Sequence, residues 1–248
     1  ILPPYFEIDK LYQSYGNEDS AHFFSSINSG KNFVNHDGHG WWCIMSIGED
    51  YLFNEDTLSF TNSDMPVVWV SIGCWVGALD YVSIAECYTK TSKGGAVAFI
   101  ANSRYGWGSP GNPGYGYSDK FDKRIFYEIF KDSVERIGDV LSFAKSYYIP
   151  LSHDSNVYRW HQFQVNLFGD PAMKVWTEKP KGMQIITQDT IPQGNITVNI
   201  AVIDSENRPL NNVRICILKD TEIYIVDTLS GSGVFSFTTY SAGNPIVT

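Results

Sequence analysis

Three apolar, β-favouring runs mark the first hundred positions: residues 31–34, 66–72 and 96–100. Their continuous hydrophobicity predicts strands buried inside a sheet, and the first two run into Gly-containing turns. Between the last two, Ser83-Ile-Ala-Glu86 predicts a helix start, with Ser83 as N-cap and Glu86 three residues on, and Gly94-Gly95 supplies a stop. Strand, helix, strand at this spacing implies a parallel pair joined by a right-handed crossover, so residues just after the strands share one edge of the sheet. Apolar positions at three- and four-residue spacing predict further helices over 119–131 and 133–148. The predicted class is α/β, a three-layer α/β/α sandwich with a mostly parallel sheet.

The texture changes at Lys179-Pro180-Lys181-Gly182: Trp and His occur upstream and neither occurs downstream. Short runs over 183–188, 196–203, 213–218, 223–229 and 234–239, separated by Pro, Gly, Asn and Asp, predict successive strands. Alternation in Ile196-Thr-Val-Asn-Ile-Ala-Val buries one face and wets the other. The expected organisation is a domain over 1–178 and, over 179–248, a small all-β sandwich, immunoglobulin-like although no Cys-Trp-Cys core marks it.

Composition narrows the function. With 248 residues, 43% hydrophobic and 18% charged, the chain is expected to pack into one or two domains. The 27 acidic against 18 basic residues, net charge −9, argue against nucleic acid and anionic membranes as partners. No apolar run reaches the roughly 18–20 residues of a membrane span. Ile1-Leu2-Pro3-Pro4 carries no initiator Met, basic segment or cleavage site, which reads as a fragment or a processed product. Low Lys content and abundant Asn, Ser and Tyr suit an extracytoplasmic protein. The Gly-rich stretch 106–116 reads equally well as a lid over a ligand and as an inert surface loop.

Candidate chemistry gathers after the first two strands, in Asn35-His36-Asp37-Gly38-His39-Gly40 and Ser71-Ile72-Gly73-Cys74. A thiol attacks a carbonyl as thiolate, and with an ordinary pKa near ~8.5 it needs a nearby imidazole or helix N-terminus. His39 and Cys74 at adjacent strand ends meet that need, and the backbone N–H groups of Gly40 and Cys74 can stabilise an oxyanion. Four cysteines are too few for a disulfide scaffold. Cys87 and Cys216 read as core packing, Cys43 as structural, and Cys74, between a buried strand and Trp75, as the exception. His36, His39, Cys43 and Cys74 could in principle ligate zinc, but the Gly-broken spacing ranks this well below catalysis. His22, His153 and His161 read as ordinary surface or partly buried residues.

The segment from Asn28 to Gly40 and the block Val67-Val-Trp-Val-Ser-Ile-Gly-Cys74 together resemble the gingipain family of cysteine peptidases, family C25 of the caspase-like clan. The likeness continues through Ser83-Ile-Ala-Glu86, residues 94–103 and Asn166-Leu-Phe-Gly-Asp-Pro171, covering nearly all of residues 1–178. It implies His39 as general base and acid, Cys74 as nucleophile, an oxyanion hole from Gly40 and Cys74, and an immunoglobulin-like domain after the peptidase domain. Trp107 falls where the family has an aromatic wall of the specificity pocket, and Trp75 beside the nucleophile is a second substrate-binding candidate. The family's acid that orients the His lies well upstream of it, and only 38 residues precede His39, so that group and the early strands are expected to be missing. Asp37 and Glu7 are the nearest acids, neither with a reason to be assigned, and no acidic pocket residue that would carry over an Arg or Lys preference is located.

The resemblance implies a secreted or cell-surface bacterial cysteine endopeptidase acting on protein or peptide substrates, with the missing N-terminal part of the same polypeptide as a further partner. The alternatives are a sortase-like transpeptidase of a type IX secretion system and a catalytically inactive C25-like scaffold or adhesion module. No obligatory metal is predicted. Asp119, Asp122 and Asp154 leave room for structural calcium without matching a ligand loop. Asn195-Ile-Thr197 matches a glycosylation acceptor, relevant only in a eukaryotic source.

Overall fold

The computed structural model describes every residue except 110, 113, 154, 155 and 179–181. Asp154, proposed above for calcium, the two prolines of the Gly-rich stretch and Lys179-Pro180-Lys181 of the expected boundary therefore lie outside the described residues. The chain divides into two compact units, Ile1–Thr177 and Glu178–Thr248.

The first unit runs α1 (Ser20–Asn28), β1 (Phe33–His36), β2 (Gly40–Trp41), β3 (Ile44–Ile47), β4 (Asp50–Phe53), β5 (Val67–Ser71), α2 (Ile84–Lys90), β6 (Ala96–Asn102), α3 (Tyr117–Phe130), α4 (Ile137–Tyr147), α5 (Val157–Gln164) and β7 (Val165–Gly169). Its main sheet has the order β1-β5-β6-β7, with β1, β5 and β6 parallel and β7 antiparallel at one edge. Every residue of β5 is buried, because alternate side chains serve two cores. Val67 and Trp69 pack with Phe23, Ile84, Tyr88 and Phe99, on the side of α1 and α2. Val68 and Val70 pack with Phe121, Ile125, Val140 and Ala144, on the side of α3 and α4. The result is the three-layer α/β arrangement with a mostly parallel sheet.

Two local expectations need correction. Ser83 is the N-cap of α2, but its side chain makes no capping bond. The free N–H groups of the first turn instead reach carbonyls of other segments, Ile84 N–H to Trp42 O (2.9 Å) and Ala85 N–H to Val76 O (3.0 Å). The helix expected from 133 starts only at Ile137, because Ser133 takes φ 55°, Val175 N–H donates to Glu135 O and Ile137 N–H donates to Met173 O. Residues 40–53, unassigned in the sequence reading, form a separate antiparallel sheet, β2-β3-β4.

The second unit contains β8 (Met183–Ile186), β9 (Gly194–Asp204), β10 (Asn211–Lys219), β11 (Ile223–Ser230), β12 (Ser232–Thr239) and β13 (Ile246–Val247). They form one antiparallel sheet, ordered β13-β10-β11-β12-β9-β8, whose two halves join through the single pair Ser230↔Ser232. Both halves feed one core, with Val198 and Ile200 of β9 beside Ile215 and Ile217 of β10. Cys216 is not a core residue: it is only partly buried, between the buried Ile215 and Ile217, and therefore on the opposite face of its strand.

Candidate active site

The parallel sheet delivers the ends of β1, β5 and β6 to one edge, and the residues proposed for chemistry follow directly. His36 pairs with Ser71 at the last rung of β1 and β5, and Ile72 N–H extends the ladder to His36 O (3.1 Å). Beyond that rung the two loops press together through glycines. A methyl group on Gly40 would lie 3.0 Å from Cys74 O, and one on Gly73 would lie 3.3 Å from Gly38 O. His39 is thus held between two glycines that pack on the segment carrying Cys74. His39 is exposed, and Cys74 is partly buried with Sγ 3.9 Å from Gly106 O.

The surroundings of Gly40 bear on its oxyanion role. Ser46 N–H donates to His39 O (2.9 Å), which makes Gly40↔Met45 a pair without mutual hydrogen bonds. The Gly40 N–H therefore points away from β3 and takes no part in that ladder. The Cys74 loop is fixed by Trp75 N–H to Arg104 O (2.9 Å), Gly77 N–H to Asn102 O (3.0 Å) and Asn102 Nδ2 to Ile72 O (2.8 Å).

The sequence reading treated His36 only as a weak zinc candidate, and the structure gives it other work. Only 6% exposed, its Nε2 lies 2.7 Å from Ser46 O and its Nδ1 2.8 Å from Ser71 Oγ. Since Ser46 O can only accept, Nε2 carries the proton and Nδ1 accepts from the Ser71 hydroxyl. Ser71 Oγ in turn accepts from Gly73 N–H (3.2 Å), while the Ser46 hydroxyl and amide both donate to His39 O (3.1 and 2.9 Å). A single neutral imidazole thereby links the backbone beside Cys74 to the backbone of His39. Burial, opposed by the Ser46 bond and reinforced by nearby His39, pushes His36 down to about 4. With both ring nitrogens engaged, it has no lone pair for a metal.

Trp107 is similarly clamped. Its N–H donates to Ser118 Oγ (2.8 Å) and its carbonyl accepts from Ser118 N–H (3.0 Å). The Ser118 hydroxyl donates to His161 Nε2 (2.9 Å), and His161 Nδ1 donates to Val157 O (2.8 Å). His161 is fully buried, beyond the surface or partly buried position expected, and burial lowers its pKa. The indole of Trp107 itself is 47% exposed.

Asp37, Asp119 and Asp122 form an acidic neighbourhood near the His39 loop. Burial, then repulsion from Asp119, raises Asp37. Asp122 is pushed up to about 7 by burial and by Asp37 and Asp119, against a bond from Asn35. Among the described residues, no group of three or more His, Cys, Asp or Glu side chains is placed to hold a metal ion.

The sequence profile of Peptidase family C25 matches residues 1–176. The chain belongs to this family of cysteine peptidases. Three solved structures share its fold. The crystal structure of the Arg-specific cysteine proteinase gingipain R (RgpB) aligns with TM-score 0.59 and 18% identity, over 89% of this chain and 50% of that one. The complex of Porphyromonas gingivalis RgpB pro- and mature domains aligns at 0.57 and 17%, over 89% and 51%. A structure described as a protease aligns at 0.58 and 19%, over 90% and 52%. The chain thus spans about half the length of each. No curated protein sequence matches it significantly. In this C25 chain the positioning residues Ser46, Ser71 and His36 escaped the sequence reading. The available signal was a polar residue, Ser71, ending a run of wholly apolar strand positions.

Proposed function

We propose that the chain is a cysteine endopeptidase in which Cys74 is the nucleophile and His39 the general base and acid. The observation that supports this reading is the glycine-lined contact between the loop of His39 and the loop of Cys74, Gly40 against Cys74 O and Gly73 against Gly38 O. His39 takes the thiol proton and the Cys74 sulfur attacks a peptide carbonyl. The oxyanion meets the N–H groups of Gly40 and Cys74. Collapse breaks the C–N bond, His39 protonates the departing amine, and a thioester remains on Cys74. Water, deprotonated by His39, then releases the carboxylic acid and restores the thiol. Glycines at 38, 40 and 73 suit this arrangement, since a Cβ there would press on His36 Nε2, on Val76 Cγ1 and on Gly38 O respectively and force the two loops to shift.

The same reading makes the protein secreted or surface-attached and gives the second unit the part of an immunoglobulin-like domain. A pro-segment is a fitting partner, because one of the similar structures is a complex of pro- and mature domains. Labelling with a peptide carrying a thiol-reactive group tests the mechanism. Modification is expected at Cys74, abolished in Cys74→Ala and strongly slowed in His39→Ala. Labelling at Cys43 or Cys87 instead would remove the basis of this assignment.

A further inference from the structure

The residues just beyond the two proposed catalytic groups carry indoles that meet. Trp41 follows Gly40, Trp75 follows Cys74, and their ring centroids are 4.8 Å apart. Trp75 continues the contact to Tyr105 at 5.7 Å and Tyr81 at 6.2 Å, and Tyr81 stacks on Trp42 at 5.3 Å. This aromatic shelf is open to solvent: Trp41 is 40% exposed, Tyr81 46% and Tyr105 51%.

Folding alone does not account for it. Trp75 has φ 62°, a left-handed conformation unfavourable for a bulky side chain. It is held there by its own N–H on Arg104 O (2.9 Å) and by Ala78 N–H on its carbonyl (2.9 Å). The Arg104 guanidinium lies 4.6 Å from the centre of the Trp75 ring, and its two outer nitrogens reach the Asp80 carboxylate at 3.0 and 3.3 Å. Arg104 and Asp80 thus brace the partly buried Trp75, and the exposed surface of the shelf is supplied by Trp41, Tyr81 and Tyr105 around it. A cation already lies against the rings, which disfavours a Lys or Arg side chain there, and Asp80 disfavours a carboxylate. Apolar surface remains as the complement.

We propose that Trp41, Trp75, Tyr81 and Tyr105 form a subsite that receives a bulky apolar side chain, aromatic or leucine-like, from a substrate peptide. Adjacency in the chain sets the subsite within about two residues of the bond that Cys74 attacks, at roughly 3.3–3.6 Å per extended residue. That location rests on the Cys74–His39 reading, while the existence of the subsite does not.

The test uses the full chain carrying Cys74→Ala and short alanine-background peptides in which a single Phe is walked through successive positions. Calorimetry is expected to find one position where Phe tightens binding about tenfold over Ala, with Lys giving no gain. Adding Trp41→Ala, or separately Tyr81→Ala, should reduce that advantage to about twofold or less, while Trp41→Phe keeps most of it. Both substituted side chains are well exposed, so the fold is expected to survive. If no position distinguishes Phe from Ala, or if neither Ala variant diminishes the difference, the subsite is refuted. Probe labelling of wild-type Cys74 is decided separately, so loss of the subsite and loss of the peptidase reading give different results.

Discussion

His36 and Asp122 titrate out of place in opposite directions, and removing one should expose the other. His36 is lowered from 6.5 to about 4, so between those values the unfolded chain binds a proton that the folded chain refuses. Stability of the first unit therefore falls as pH drops through this window. At about 1.4 kcal/mol per unit the loss is about 3 kcal/mol by pH 4. Asp122 is raised from 3.8 to about 7, so over nearly the same range the folded chain keeps a proton that the unfolded chain releases. That costs stability as pH rises, by about 4 kcal/mol at neutrality. His161, lowered, adds to the first slope, and Asp37, raised, adds to the second. Between pH 4 and 6.5 the two slopes nearly cancel, and the wild-type unit should show a flat profile.

Asp122→Asn removes one slope while keeping an amide of similar shape that can still accept from Asn35, which bonds Asp122 Oδ2 at 3.0 Å. The variant should gain stability from pH 4 to 6.5, by up to about 3 kcal/mol, and exceed the wild type near neutrality. All seven tryptophans precede residue 178, so urea unfolding followed by tryptophan fluorescence reads the first unit alone. A variant curve parallel to the wild type across that interval would refute the reasoning, because it would mean that Asp122 titrates normally.

Other substitutions test the remaining geometry. Gly40→Ala sets a methyl against Val76 Cγ1 and Cys74 O and should destabilise by about 1–3 kcal/mol in thermal unfolding while abolishing probe labelling. Ser46→Ala removes one of two bonds to His39 O, so labelling of Cys74 is expected to slow about tenfold with little change in melting temperature. Ser118→Ala frees the Trp107 amide and leaves His161 Nε2 unsatisfied, a loss of about 1–3 kcal/mol detectable in urea unfolding. Arg124 pairs with the buried Glu128 (2.6 Å) and lies over the rings of Tyr127 and Tyr147. Arg124→Ala should cost about 3–5 kcal/mol, and unchanged stability in the same assay would show that the pair with Glu128 contributes nothing to the fold.

The elements legible in the sequence are those whose burial is decided within the segment. β5 is apolar on both faces because helices cover both, and its run of Val-Val-Trp-Val shows this without tertiary information. The strands of the second unit announce themselves by alternation, which also argues against the core role expected for Cys216. With Ile215 and Ile217 facing inward, the residue between them must face outward. The sheet β2-β3-β4 could not be read this way. Its strands are two to four residues long and mix Trp, Met, Ser and Asp, so they hold together through pairing and through contacts with β5 and α2. The helix cap was legible in position but not in mechanism: Ser83 is the N-cap, yet carbonyls of Trp42 and Val76, from other segments, take the free amides of Ile84 and Ala85 in place of its side chain.

The candidate site divides along the same line. That His39 and Cys74 stand at neighbouring strand ends follows from parallel pairing alone, and the register His36↔Ser71 fixes it. What the sequence does not disclose is how two glycine-containing loops hold a definite geometry, since glycine supplies close approach and no stiffness. The stiffness comes from His36, whose burial depends on β3 folding back to present Ser46 O. Only then do Ser71, His36 and Ser46 join one loop to the other. A histidine at a strand end is ordinarily solvated, and nothing local to residue 36 distinguishes it from His39. The structure buries one imidazole as a neutral strut and leaves the other exposed at the surface. Under the proposed mechanism, chemistry and support are then divided between two residues of the same type three positions apart in the chain.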